Sequence, residues 1–149
     1  MQIKSLVLFV ACGLASSCNF QQARTPLCVV VANGFVGWVA LDWAESNSAP
    51  LRSSNGCYWL SFENTNRLAT SSKPEHGWAR DRYFEKDPVS GHISELKQFS
   101  SEYEGRQPRS VQVNSVETNG VRKDTQAIFI GTFEEYLSMV DKVPKPRPR

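Results

Sequence analysis

Apolar positions along this chain recur mostly with a period of two, the signature of half-buried strands. In residues 33–43, NGFVGWVALDW, the side chains of Phe35, Gly37, Val39, Leu41 and Trp43 fall on one face, and Val36, Trp38, Ala40 and Asp42 on the other. The first face is large and apolar. The second turns acidic at Asp42, which predicts a central strand that emerges toward water. Gly37 marks a bulge or a close backbone approach. Just before it, residues 27–31 (LCVVV) form a continuous apolar run, a buried strand. Asn33-Gly34 between the two runs predicts a hairpin.

The same reading continues down the chain. Asn55-Gly56 is a second turn before residues 57–62 (CYWLSF), where Tyr58, Leu60 and Phe62 share one face and Cys57, Trp59 and Ser61 the other. Residues 68–72 predict a short strand. Residues 78–86 predict a strand with an irregular start, and residues 92–99 one of weak character. Residues 110–116 alternate cleanly, Thr118-Asn119-Gly120 turns, and residues 127–130 (AIFI) read as a buried strand. The period then changes. Thr132 with Glu135 three positions on forms a capping box. Phe133, Tyr136, Leu137 and Val140 lie at i, i+3, i+4 and i+7 on one helical face. About seven short strands, turn signals between them and one short C-terminal helix predict an all-β fold, an antiparallel β-sandwich or barrel-like domain.

Composition narrows this only slightly. The chain has 149 residues, 40% apolar and 21% charged, which suits one globular domain with appendages. A net charge of +2 gives no argument for nucleic acid or for an anionic membrane surface. The last eight residues, 142–149, hold three prolines and four basic side chains and predict a disordered tail.

The N-terminus changes the picture more. Lys4 lies in a short positive segment, and residues 5–15 are apolar but too few to span a membrane stably. Ala15-Ser16-Ser17-Cys18 follows. Small residues before a cysteine at this place resemble the bacterial lipobox, although Ala15 stands where that motif usually has Leu. The resemblance implies removal of residues 1–17, lipidation of Cys18 and a membrane partner through that anchor. The alternative is an ordinary export signal cut nearby. Asn19 after the cysteine slightly favours an outer-membrane lipoprotein facing the periplasm over an inner-membrane one; without lipidation the protein is secreted or periplasmic. The organisation expected is a signal peptide at 1–17, anchor and tether at 18–26, the domain at 27–141 and the tail at 142–149.

Export also settles the cysteine arithmetic. Cys12 leaves with the signal and Cys18 is the lipid site or is lost, so Cys28 and Cys57 remain as a pair in an oxidising compartment. A bridge between them closes a loop of about 30 residues, worth on the order of 3 kcal/mol in the loop-entropy description. Two buried free thiols are the alternative.

Several pieces together resemble a family of uncharacterised secreted and lipoprotein-type bacterial domains. They are Gly34-Phe35-Val36-Gly37-Trp38-Val39, Ala49-Pro50-Leu51, Leu68-Ala69-Thr70-Ser71-Ser72, and Gly77-Trp78-Ala79-Arg80-Asp81 running into Tyr83-Phe84. Ile130-Gly131-Thr132 with Glu134-Glu135-Tyr136 resembles that family's C-terminal end. The resemblance implies an exported β-rich domain. It carries no catalytic residues over.

Candidate chemistry is sparse. A hydrolase site would need Ser71 or Ser72 with His76 and Asp81; the plainer reading is that Thr70, Ser71 and Ser72 satisfy their own loop's backbone. A metal could draw on Glu75, His76 and Asp81, or on Asp87 and His92, but neither set has a recognised ligand spacing. Glu134 and Glu135 suit a helix N-terminus. No cofactor, no metal and no catalytic activity are therefore expected. The candidate binding face is His76, Trp78, Arg80, Arg82 and Tyr83, an aromatic and arginine mixture typical of binding hot spots. Against that, Trp78 and Tyr83 could fill the core while the arginines pair with Asp81 and Glu85. The function expected is a non-catalytic binding or structural module of the cell envelope, with an envelope protein or glycan as partner. Alternatives are a periplasmic inhibitor or immunity-type protein that blocks a hydrolase, and a weak serine hydrolase.

Overall fold

The computed structural model describes residues 23–98, 110–118 and 121–145, with side chains outside 110–118 and 121–124. The export signal, Cys18, residues 99–109, the Asn119-Gly120 turn and residues 146–149 lie outside the described residues. The strands are β1 (Leu27–Ala32), β2 (Gly37–Asp42), β3 (Ser53–Ser54), β4 (Cys57–Ser61), β5 (Arg67–Ala69), β6 (Arg82–Lys86), β7 (Ile93–Gln98), β8 (Ser110–Thr118) and β9 (Val121–Gly131). The helix α1 (Phe133–Met139) follows, continued by a tighter turn, Val140–Lys142.

These strands pair side by side in the order β3-β4-β1-β6-β7-β8-β9-β2-β5. β7 is the turning point of this ribbon. Its first residues pair with β6, and Lys97 and Gln98 pair with β8. The two halves share one core: Leu27, Val29 and Val31 of β1, Leu60, Phe62 and Tyr83 meet Val39 and Leu41 of β2 and Ile128 and Ile130 of β9. The result is a sheet-rich sandwich with no closed barrel.

Two expectations need correction. The pairing is mixed rather than antiparallel: β1–β4, β1–β6, β2–β5 and β7–β8 run parallel. β1 has parallel neighbours on both sides and is covered on both faces, which is why LCVVV is a continuous apolar run. The hairpin expected at Asn33-Gly34 does not form either. The Phe35 amide donates to the Ala32 carbonyl at 3.0 Å, so a turn is made, but only Gly34 (φ +78°) has a positive φ. A hairpin turn of type I′ needs both central residues there. This turn instead carries the chain from one half of the ribbon to the other, and β1 and β2 pair with different strands.

β2 lies next to the end of the order rather than at its centre, and it does not emerge into water. Asp42 is only 2% exposed, held by Arg67 at 2.6 and 2.8 Å and by the Thr125 hydroxyl at 2.8 Å. The polar end of the strand is buried because a cation was brought to it across the β2–β5 pair.

The outer face of β2 is covered by α1. Trp38 and Phe129 pack edge to face, Tyr136 closes on both rings, and Met139 and Val143 complete the cluster. The Trp38 indole donates to the Met139 carbonyl at 2.9 Å. The predicted capping box is present: Thr132 accepts from the Glu135 amide and Glu135 from the Thr132 amide. Its neighbour Gly131 has no room for a side chain, since a Cβ there would meet Glu135 and Phe129 at 2.8 Å. Of the predicted helical face Tyr136 packs on the sheet, joined by Met139, both half-buried, while Phe133, Leu137 and Val140 are exposed. Packing also runs past the boundary expected at 141, because Val143 joins this cluster and the Lys145 carbonyl accepts from Arg67.

Candidate functional site

The exposed loop before β6 is built on the first described residues of the chain. Asp81 accepts a forked pair of bonds from Arg24 at 2.6 and 2.9 Å and a third from the Leu27 amide at 2.9 Å. Glu75 accepts from the Thr25 amide at 2.9 Å and the Tyr58 hydroxyl at 2.7 Å. The Arg24 amide donates to the Trp78 carbonyl, and Ala23 bridges Trp78 in parallel. A forked guanidinium–carboxylate pair is the strongest common ionic contact, and here it is largely shielded from water. The bond to Asp81 raises the Arg24 pKa against the opposing effect of burial. The Thr25 and Tyr58 donors hold Glu75 below the usual carboxylate range.

This clamp fixes the backbone of the loop and turns its side chains outward. Trp78 is 68% exposed, and His76 and Arg80 are exposed beside it in sequence. Tyr83 leaves the candidate face: it is 1% exposed within the core, where burial raises its hydroxyl pKa above the ordinary value. The alternation of β6 explains the split, since Arg82 points to the surface and the next residue points inward.

Arg82 belongs to a second exposed surface, the outer face of β4, β1 and β6. Trp59 and Arg82 stand on either side of Cys28 in the register. The Cys28–Cys57 bridge, with an S–S distance of 2.02 Å, lies in the same layer with Val30 and Phe84. Trp59 stacks on Phe84 at 5.6 Å, and the Arg82 guanidinium lies 4.9 Å from the centre of the Phe84 ring. Arg82 also makes two bonds of 2.9 Å to Glu95. That pairing lowers the Glu95 pKa, and Arg80 adds to the effect from further away. Trp59 is 45% exposed and was not among the candidate residues. Its signal was present in the sequence, in the face it shares with Cys57.

The residues considered for catalysis and metal binding are placed differently. The Ser72 hydroxyl accepts from the Leu51 amide, and the Thr70 hydroxyl bridges the Ala49 carbonyl and the Ser72 amide. The Ala44 and Glu45 amides donate into the same stretch. The segment therefore ties two loops together; only the Thr70–Ser72 bond stays within its own loop, as the plainer reading expects. Asp87 is a turn residue that accepts from the Val89 and Ser90 amides and the Ser90 hydroxyl, which lowers its pKa. Among the described residues no group of three or more His, Cys, Asp or Glu side chains could hold a metal ion.

Several of the sequence pieces that carry the family resemblance lie against one another in space. Gly37 of β2 lies opposite Ile130 of β9, beneath the helix. Ala49 and Leu51 bond to Thr70, Ser71 and Ser72. Asp81 and Trp78 hold the start of the chain.

No protein-family profile matches the chain, and no curated protein matches it. A solved structure does. It is similar to the crystal structure of a protein described as a candidate lipoprotein of Bacillus anthracis, with a TM-score of 0.51 and 14% identity over 84% of this chain and 85% of that one. At that identity the likeness is one of fold.

Proposed function

We propose that this protein is an exported, lipid-anchored domain of the bacterial cell envelope, attached through Cys18, that works as a non-catalytic binding or structural module. Its working face is the loop that displays His76, Trp78 and Arg80, together with Arg82. One observation carries the reading: Arg24, Thr25 and Leu27 are clamped by Asp81 and Glu75, so the root of the tether and the exposed loop form one unit. Three further features support it. A positive segment, an apolar segment and small residues precede Cys18 in the order that export with lipidation requires. The Cys28–Cys57 bridge suits an oxidising compartment. The fold is shared with a protein described as a candidate lipoprotein. The non-catalytic part rests on the hydroxyls of Thr70 and Ser72 being engaged by loop backbone.

The test is expression of the full chain in a bacterial host, with detergent-phase partition and mass spectrometry of the N-terminal peptide. The parent is expected in the detergent phase with acyl chains on Cys18, and Cys18→Ser in the aqueous phase. A parent found in the aqueous phase without an acyl mass would overturn the anchor.

A further inference from the structure

We infer that the loop displaying Trp78 and Arg80 is a membrane-contacting surface, with the Trp78 indole seated among the headgroups of the anionic bilayer that holds the anchor. This rests on the proposed lipidation of Cys18 and names the partner of the face proposed above.

The first argument is reach. Four residues, 19–22, separate Cys18 from Ala23, and Ala23 bridges Trp78 directly. Even fully extended, the five steps from Cys18 to Ala23 span no more than about 18 Å. An anchor in the leaflet that faces the domain therefore keeps the Trp78 loop within a short stride of the lipid surface. No other exposed aromatic among the described residues is tied to the tether in this way.

The second argument is rigidity. A domain free to tumble on its anchor has no use for a fixed exit. Here the exit is held by the Arg24–Asp81 fork, the Leu27 and Thr25 amides and the Tyr58 amide bonded to the Pro26 carbonyl. Those bonds set the orientation of the loop relative to the incoming chain. Trp78 is thus shown at a set place, at 68% exposure, while among the described residues its ring makes no aromatic contact. Tryptophan in that setting is the side chain of the lipid–water boundary, apolar in body and polar at one edge.

The third argument is charge. Asp81 is turned inward to Arg24, while Glu75 stays at the surface and accepts from the Thr25 amide and the Tyr58 hydroxyl. The ionisable side chains exposed on the loop are Lys73, Glu75, His76 and Arg80. Arg82, which follows the loop, is paired with Glu95 at 2.9 Å. Lys73 and Arg80 against Glu75 leave a small outward surplus of positive charge, the sign that suits a phospholipid layer containing phosphatidylglycerol.

The experiment uses the full-length acylated protein, reconstituted through its own anchor into vesicles of phosphatidylglycerol and phosphatidylethanolamine, with and without brominated acyl chains. Tryptophan emission is read for the parent, Trp78→Phe and Arg80→Ala, and flotation and mass spectrometry report the anchor separately. Brominated lipid should quench the parent, and the quenched component should vanish in Trp78→Phe, which keeps the other three tryptophans. In Arg80→Ala the ratio of seated to free loop should fall about five-fold at low salt. A parent that is acylated and floats, but is quenched no more than Trp78→Phe, overturns the membrane contact and leaves the anchor standing. A parent that carries no acyl chain and does not float overturns the anchor reading and this inference with it. Shielding of Trp78 from an aqueous quencher by an envelope protein or glycan, without bromolipid quenching, likewise overturns it.

Discussion

The two halves of the ribbon cover their outer faces by different means. On the β9–β2–β5 side a helix lies across the sheet, and Trp38 and Phe129 are buried beneath Tyr136 and Met139. On the β3–β4–β1–β6 side a disulfide and a half-exposed stack of Trp59, Phe84 and Arg82 occupy the corresponding face. One half is held by apolar burial at long range, the other by a covalent link and surface stacking. The difference teaches that one fold can close its two outer faces by different physical means. The covered face contributes mainly to the fold. The open face and the loop beside it leave aromatic and cationic side chains available for contact.

The largest expected effect compares the two tryptophans. Trp38→Ala should destabilise by about 4 kcal/mol, because a buried ring is replaced by a cavity and the bond to Met139 is lost. Trp59→Ala should cost about 1 kcal/mol, in line with an exposed aromatic pair. Urea unfolding of both variants checks this, and equal costs would break the comparison. Next, joint replacement of Cys28 and Cys57 by Ala should lower stability by about 3 kcal/mol through the freed loop. The parent measured with and without reductant should show the same difference. Loss of the whole folded signal only in the Trp38 variant would sharpen the contrast between the halves.

A smaller effect separates the two Asn-Gly turns. Asn55 (φ +51°) and Gly56 (φ +73°) both sit in the left-handed region and make the β3–β4 hairpin. Asn33 does not, and its turn crosses between the halves. Asn55→Val should therefore cost about 2 kcal/mol, as a branched side chain is forced into that region. Asn33→Val should cost no more than about 0.5 kcal/mol, because Asn33 lies outside the left-handed region and its amide bond to the Lys86 carbonyl is kept. Thermal unfolding resolves the two.

The smallest effect is electrostatic and confined to the open face. Arg82 holds Glu95 below the ordinary carboxylate range, so the folded form binds that proton less readily than the unfolded chain. The pair's contribution is present above the ordinary glutamate pKa and is lost as pH falls through the lower folded value. Midpoints of the parent and Glu95→Gln should differ slightly at neutral pH, converge in acid, and converge in high salt because both side chains are about half exposed.

Much of this was legible along the chain. The alternation of residues 57–62 placed Leu60 and Phe62 inward and Cys57 and Trp59 on the other face, and the structure has that arrangement. The Thr132–Glu135 capping box was readable because both halves of it lie within one turn. The cysteine pairing followed from the expected export, and the Thr70–Ser72 bond from turn chemistry. The burial of Asp42 was not readable, since Arg67 and Thr125 reach it from 25 and 83 residues away. Nor was the exposure of Trp78, which depends on Arg24 and Asp81 meeting across 57 residues.

The sequence by itself determined the strand periods, the helix start and the half-cystine pair, because each rests on neighbours within a few residues or on simple elimination. Only the tertiary structure decided which strands pair, in which direction, and which polar groups are buried. An Asn-Gly turn specifies a reversal of the chain but not whether the next strand returns to the same sheet. That outcome is set by the core, where β1 gains parallel neighbours on both sides and β2 gains the helix. Burial of one face can be read from a period of two; burial of both faces depends on what other parts of the chain bring to the second one.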